Sequence, residues 1–592
     1  MLKIIFSIVS LVLISTLLDA QKISYHLRMS KPQSHYFEVE MLIEDNKQNE
    51  LSVKMPVWAP GSYLVREFSK NVNIVNAYDV EKNIVLPIKK SNKNTWKIQT
   101  NQVKKISIKY EVYAFELSVR TSYLDILHGF VSGSSVFMYV DQWKDIPGIL
   151  FIHTHPTFKK VSTPLAKMKE SLGSDNIFLF QFKNYDELVD SPIEIGNHQE
   201  FEFDVNGIVH RVAIYGESNA DFELMKKDMK KIVLAATDVF KENPNKEYLF
   251  IIHNVSDGQG GLEHSNSCTL SVDRDSYDGD KYLGFLSLVA HEYFHLWNVK
   301  RIRPIELGPF DYDNEVYTDL LWVMEGFTSY YDELLLKRAG YYTNDQLLAK
   351  INSGVNYVEG TYGSRIQPVA HASFDAWIKA YRPNENSSNT TMTYYSRGAM
   401  LAALIDVKII QKFNGEKCLD HFLQNLYQEY YKKMNRGFTS DEFKNALSAF
   451  LQEDCSPFFE DFVYGTKTPD FSEYYKALGV NVAYTGTPKV NFGASINNNV
   501  VRSVRRNSTA ENLGLQANDV IISLNDVNVK GNEFEKKIQE LSENSEIKLL
   551  VSRDQIQLEL HGKMNLFETP SYRFSFNGEK NKLQKYWLRE IF

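Results

Sequence analysis

His291-Glu292-Tyr293-Phe294-His295 constrains this chain more than any other stretch. Two histidines at i and i+4 fall on one face of a helix, about one turn apart, so both imidazoles can converge on one ion. Glu292 projects toward the same face, within reach of a water held by that ion. The spacing therefore predicts a zinc site with two ligands and a general base. The preceding run, Gly284 to Ala290, is apolar and free of proline, which predicts a helix threading a core. A core of that kind needs a large body around it, and 592 residues suffice for about three or four domains.

Zinc in a catalytic site needs a third protein ligand and one open position. Thirty residues past His295 lies Leu321-Trp322-Val323-Met324-Glu325-Gly326-Phe327-Thr328, followed by a helical pattern. A carboxylate in such apolar surroundings is costly unless paired or metal-bound, which makes Glu325 the expected third ligand. The competing reading is an acid near a helix N-terminus interacting with the dipole. Asp332, seven residues on, is a candidate to orient a ligating histidine.

Composition narrows the function classes. The net charge of −8 comes with no concentrated basic face, and Lys226, Lys227, Lys230 and Lys231 read as one solvated helix side, which excludes nucleic-acid binding. Met1-Leu2-Lys3 leads into an apolar run from Ile4 to Leu18 and then Asp19-Ala20-Gln21, the pattern of a secretory signal (residues 1–20) cut after Ala20. Export to a periplasm or the medium is the expected localisation, with no membrane span after cleavage. Three widely spaced cysteines, Cys268, Cys418 and Cys455, build neither a disulfide framework nor a cysteine zinc site, and Cys268 reads as a buried structural thiol.

The expected fold class is a multidomain α+β protein. Residues 21–195 alternate apolar and polar positions, as in Ile106 to Tyr113, and predict an N-terminal β-sandwich-like domain. Residues 196–475 combine a short β portion with longer helical patterns, including Ala399 to Lys412 and Asp441 to Gln452. Arg382 to Thr391, rich in Asn and Ser, reads as a mobile loop, with sequons that matter only if the host glycosylates exported proteins.

The stretch from His291 through Leu296-Trp297-Asn298-Val299-Lys300-Arg301-Ile302-Arg303-Pro304 resembles the extended signature of the M61 peptidases, the glycyl aminopeptidase family. Pro309-Phe310-Asp311-Tyr312, the Trp-x-x-Glu-Gly-Phe-Thr segment, Trp58 to Leu64 and Ser118 to Asp125 extend the resemblance over most of the chain. It implies a thermolysin-like (gluzincin) catalytic domain with one Zn²⁺, and a kinship with M1 aminopeptidases. Tyr394-Tyr395-Ser396-Arg397-Gly398 is similar to the Tyr-x-Lys-Gly element of that group, which points to Tyr395 as the phenol stabilising the oxyanion, with Tyr394 one position away. A phenol suits that task because its pKa near 10 keeps it protonated at working pH. Gly260-Gly261-Leu262-Glu263-His264 resembles the loop with which M1 enzymes recognise a free N-terminus. Its glycines would allow close approach of backbone to a ligand, and Glu263 would pair with the substrate α-ammonium. His264 stands where that loop carries Asn.

From residue 476 to 592 the chain resembles a bacterial-protease PDZ domain with a C-terminal tail, on Val500 to Val504 and Ala510 to Ile521. Asn518-Asp519 stands at the usual Gly-Asp turn, where Asn also accepts left-handed geometry. Phe492-Gly493-Ala494 is the candidate carboxylate-binding loop for a peptide C-terminus. Since this module lies outside every zinc motif, its removal from about residue 480 is expected to leave small-substrate turnover intact. The expected activity is a zinc aminopeptidase acting on peptides with small N-terminal residues such as Gly or Ala. The alternatives are an endopeptidase with the same centre and a non-catalytic PDZ binding protein.

Overall fold

Alternating burial builds the first module. In the computed structural model, which describes residues 23–168, 176–531 and 533–590, the strand Ile106–Tyr113 buries Ile106, Ile108, Tyr110 and Val112. These side chains stand on one face because a strand's side chains alternate with period 2. The strand pairs with Tyr36–Ile43 and Val72–Asp79 inside an eight-stranded sheet. Tyr25, Phe37, Met41, Leu150, Phe137 and Met138 fill its core. The segment read as a secretory signal lies outside the described residues.

The described residues form two compact units: the first holds residues 23–301 and 307–316, the second 302–306 and 317–590. The short excursion 307–316 is gripped by the β-rich module. Asp313 accepts hydrogen bonds from Lys54 at 2.6 Å, Asn94 at 2.9 Å and Tyr139 at 3.0 Å. Trp58 Nε1 donates to the Asp311 carbonyl at 2.7 Å, and the Tyr312 hydroxyl donates to Asp186 at 2.5 Å.

A five-stranded sheet follows in the same unit: β1 (Gln199–Val205), β2 (Ile208–Tyr215), β3 (Glu247–Val255), β4 (Gln259–Glu263) and β5 (Ser267–Asp273). β2, β3 and β5 run parallel, and the central β3 is buried on both faces, so it reads as a nearly continuous apolar run. β4 turns back antiparallel to β5 and forms the sheet's edge. Helix α1 (Phe222–Phe240) is capped by Asp221, whose carboxylate accepts from the amides of Glu223 and Leu224. Lys227, Lys230 and Lys231 lie on its exposed side. Helix α2 (Gly279–Phe294) carries His291 to Phe294 of the HExxH motif, and His295 is its C-cap.

The second unit packs α3 (Leu321–Arg338), α4 (Asn344–Gly360), α5 (Tyr394–Lys412) and α6 (Leu419–Leu426). The PDZ-type sheet follows, with strands Ala494–Asn497, Val500–Val504, Val520–Leu524, Glu546–Arg553 and Ile556–Lys563 in that order around Val501, Leu513, Ile521, Phe534 and Val551. Asn518 does adopt left-handed geometry, φ +74°, at the turn where Gly is usual. Buried Asp519 is held there by Arg553 at 2.8 Å.

Two expectations need correction. Arg382 to Thr391 is not a mobile loop: it contains the short helix Ser387–Thr390, and Asn389 is buried. The Asn389 amide donates to the Val504 carbonyl at 2.8 Å and accepts from the Arg506 amide at 2.9 Å, so it completes a strand end of the PDZ sheet. Nor is the chain beyond 480 an appendage. Val480–Tyr484 pairs antiparallel with Tyr572–Phe576, so the PDZ fold is inserted between the two strands of a stem. Asn352 and Asn356 of α4 donate to the Tyr572 carbonyl at 2.8 and 3.0 Å, and Asn356 also accepts from its amide at 2.7 Å. The chain then returns to the helices, where fully buried Arg589 bonds both Asp406 oxygens, at 2.8 and 3.1 Å. Asp420, held by Arg338 at 2.7 Å, lies 3.7 Å from the same guanidinium. Among the described residues no helix is long and apolar enough to cross a membrane.

Candidate active site

α2 does what its sequence spacing requires. The His291 and His295 rings lie 4.7 Å apart, centre to centre, and nearly perpendicular. His295 Nδ1 is 2.7 Å from the Asn298 carbonyl oxygen. A carbonyl only accepts, so this bond puts the proton on Nδ1 and leaves the lone pair on Nε2, the state a metal ligand needs. His295 is thus fit to bind a divalent cation through Nε2.

Glu292 is buried, 5% exposed, and the edge strand β4 passes over it. A side chain at Gly261 would collide with the Glu292 carboxyl group. The sequence reading took Gly260 and Gly261 as loop residues that let backbone approach a ligand. In the structure they belong to a strand, and Gly261 is the residue that leaves room for Glu292. Gly260 has φ +122°, a backbone conformation that favours glycine.

Glu263 closes β4 and is 5% exposed. One carboxylate oxygen each of Glu263 and Glu292 and one ring nitrogen of His295 lie within 4.8 Å of one another. Two buried carboxylates this close repel, and an arriving cation offsets that repulsion. The β-rich module reaches the same strand twice. Arg120 Nη2 donates to the Gly261 carbonyl at 3.3 Å. At Gly61, where φ is +85°, a β-carbon would sit 2.7 Å from Glu263 Oε1, so the Trp58 to Leu64 turn must carry glycine there. His264 turns away from this cluster and is 3.1 Å from Asp190.

Glu325 and Tyr395 belong to the second unit. Glu325 is 3% exposed and falls in the second turn of α3, past the first-turn amides that the helix-dipole alternative relies on. Tyr395 is the second residue of α5, whose N-cap Thr393 accepts from its amide at 3.2 Å. Tyr394 is buried, whereas Tyr395 lines a cavity of about 210 Å³ together with Ser329, Val355 and Met400. Arg397 is buried and donates to the Lys467 carbonyl at 3.2 Å.

The matches to known families divide the chain as its motifs do. Residues 24–197 match the Peptidase M61 N-terminal domain, residues 284–401 the M61 glycyl aminopeptidase domain and residues 477–563 a PDZ domain. The chain carries the two domains of an M61 peptidase. It is similar, at 29% identity and TM-score 0.88, to an aminopeptidase N family protein from Idiomarina loihiensis, over 95% of this chain and all of that one. An M1 zinc metallopeptidase from Deinococcus radiodurans shares the fold at 11% identity and TM-score 0.50, covering 76% of this chain and 95% of the other. No curated protein matches. The protein is therefore a metallopeptidase of the aminopeptidase type, built from a β-rich module, a gluzincin-like catalytic module and a PDZ domain.

Sequence reasoning missed Gly61, Arg120 and Asp190 as parts of this site. Gly61 and Arg120 lie inside the two upstream stretches that carried the family resemblance. Asp190 lies in neither stretch.

Proposed function

We propose that the protein is an exported, periplasmic or secreted, zinc aminopeptidase that removes small N-terminal residues such as Gly or Ala. His291, His295 and Glu325 are the donor set for one Zn²⁺, two imidazoles and a buried carboxylate of the kind zinc takes. When bound, the metal supplies Lewis acidity toward the scissile carbonyl and its attacking water. Glu292 accepts the water proton on its carboxylate and passes it to the leaving amine nitrogen. The Tyr395 hydroxyl donates to the carbonyl oxygen as it gains charge. Glu263 pairs with the substrate α-ammonium, and Gly260 and Gly261 shape the strand beside it. Module boundaries near 195/196 and 475/476 go with this reading, as does capture of a peptide C-terminus at Phe492-Gly493-Ala494.

The proximity of Glu263 to Glu292 and His295 carries the proposal. An ammonium held at Glu263 leaves its own residue's carbonyl near the base, as removal of a single N-terminal residue requires. Purified protein should cleave free-amine glycyl or alanyl substrates far faster than their N-acetylated forms. Equal rates would sink the aminopeptidase reading and favour the endopeptidase.

A further inference from the structure

Asp190 follows the short helix Tyr185–Val189 and belongs to the β-rich module, yet its carboxylate gathers three residues of the catalytic module. Oδ1 lies 2.8 Å from Lys300 Nζ and 3.1 Å from His264 Nδ1. Oδ2 accepts from the Ser265 amide at 2.9 Å and from its hydroxyl at 2.6 Å. His264 and Ser265 are the two residues directly after Glu263. Lys300 lies five residues past His295, on the segment whose Asn298 carbonyl orients that histidine. Lys300 is 8% exposed at its side chain and His264 likewise, so these bonds are sheltered from water.

Burial alone would raise the Asp190 carboxyl. The nearby Lys300 charge and the His264 hydrogen bond instead hold it below the usual carboxylate range. It is therefore a fixed anion at working pH, and charge-assisted hydrogen bonds of this length are the stronger kind.

We infer that Asp190 is a positioning residue: it clamps the end of β4 to the segment following α2 and so fixes Glu263 at the distance from the HExxH residues that amine recognition needs. This rests on the reading of Glu263 as the amine anchor. It also gives His264 a purpose that its place in the motif did not suggest. It grips the clamp and does not touch substrate.

The test is a double-mutant cycle on the metal-loaded full chain, with a glycyl substrate bearing a free amine. Asp190→Asn should raise KM roughly tenfold, change kcat less than about threefold and leave metal content at the wild-type level. In a Glu263→Ala background the same change should cost less than twofold, because the residue being positioned is gone. His264→Ala, which removes one bond and leaves the others, should show the same pattern at smaller size if Asp190→Asn folds poorly. Equal losses in both backgrounds, or a loss that tracks metal content, would overturn the inference. A wild type with free-amine preference but a silent Glu263→Ala would overturn the anchor and the clamp together. A wild type without that preference would be the failure of the aminopeptidase reading itself.

Discussion

Gly326 and Gly398 touch backbone to backbone: a β-carbon placed on Gly398 would lie 2.8 Å from Cα of Gly326. The first immediately follows Glu325 on α3 and the second lies three residues past Tyr395 on α5. The crossing that sets the spacing of these helices is thus made of the two glycines next to the proposed ligand and phenol.

Gly398→Ala should therefore destabilise the protein by about 1–3 kcal/mol, although alanine gains about 1 kcal/mol of intrinsic helix propensity. The new methyl meets backbone of α3, including the Trp322 carbonyl, and no flexible side chain can move aside. Denaturant unfolding measures the change, and a variant as stable as the wild type would contradict the crossing.

Glu292→Gln should retain metal and fold but lose nearly all turnover, because the amide cannot accept the water's proton. Gly261→Ala is a subtler probe of the same group. Its methyl would displace the Glu292 carboxyl and should lower kcat roughly ten- to hundredfold with metal retained. Steady-state kinetics beside metal analysis decide both cases, and unaltered kcat in the glycine variant would show that Glu292 does not need its present seat.

Removing the metal with a chelator should abolish turnover and leave the helical and sheet content intact, since the described cores around Met41 and Val551 lie in other modules. His295→Ala should give the same protein permanently. Zinc titration followed by activity and circular dichroism measures this; turnover persisting without metal would refute the proposed centre.

Deleting everything from residue 480 should yield an unstable protein, contrary to the sequence expectation. Arg589→Ala alone should cost about 3–5 kcal/mol, because it leaves Asp406 buried without its cation. Excising residues 485–571 and joining the paired stem ends Tyr484 and Tyr572 through a short turn should be tolerated far better. Soluble yield and thermal melts of the two truncations compare them directly.

Acid should loosen the first unit through Glu194. This buried carboxylate is 2.9 Å from His128 Nδ1 and 2.9 Å from His253 Nε2, and the His128 charge and the two hydrogen bonds outweigh burial to lower it from 4.5 to about 2. A depressed folded-state value means stabilisation present above about pH 4.5 and lost as pH falls toward 2, worth about 3 kcal/mol. Glu194→Gln should flatten the stability profile between those limits; an unchanged slope would exclude this origin.

What could be read in the sequence was whatever depends on short-range spacing. The i, i+4 histidines, the apolar alternation of Ile106 to Tyr113 and the Asn518 turn follow from local geometry, and each is present in the structure. What escaped was long-range partnership. Asn-rich Arg382 to Thr391 carries every local mark of a loop, yet Asn389 is fixed by backbone groups more than a hundred residues away. The glycines of β4 gave their permissiveness to the sequence reading but not its reason, because Glu292 lies thirty residues off in the chain. Asp190 bears no local signal at all, since a lone acid after a short helix resembles any solvated one.

The seat of Arg589 also bears on how the protein comes to be made. Asp406 and Asp420 leave the ribosome well over a hundred residues before the cation that neutralises one and faces the other. Until residue 589 has emerged, Asp406 on α5 lacks its cation and resists desolvation, whereas Asp420 already has Arg338, so packing around α5 cannot finish in step with synthesis. The helical half is therefore locked from its far end, after the inserted PDZ fold has had time to form, and nascent chains stalled short of that point should remain open to proteolysis between α5 and α6.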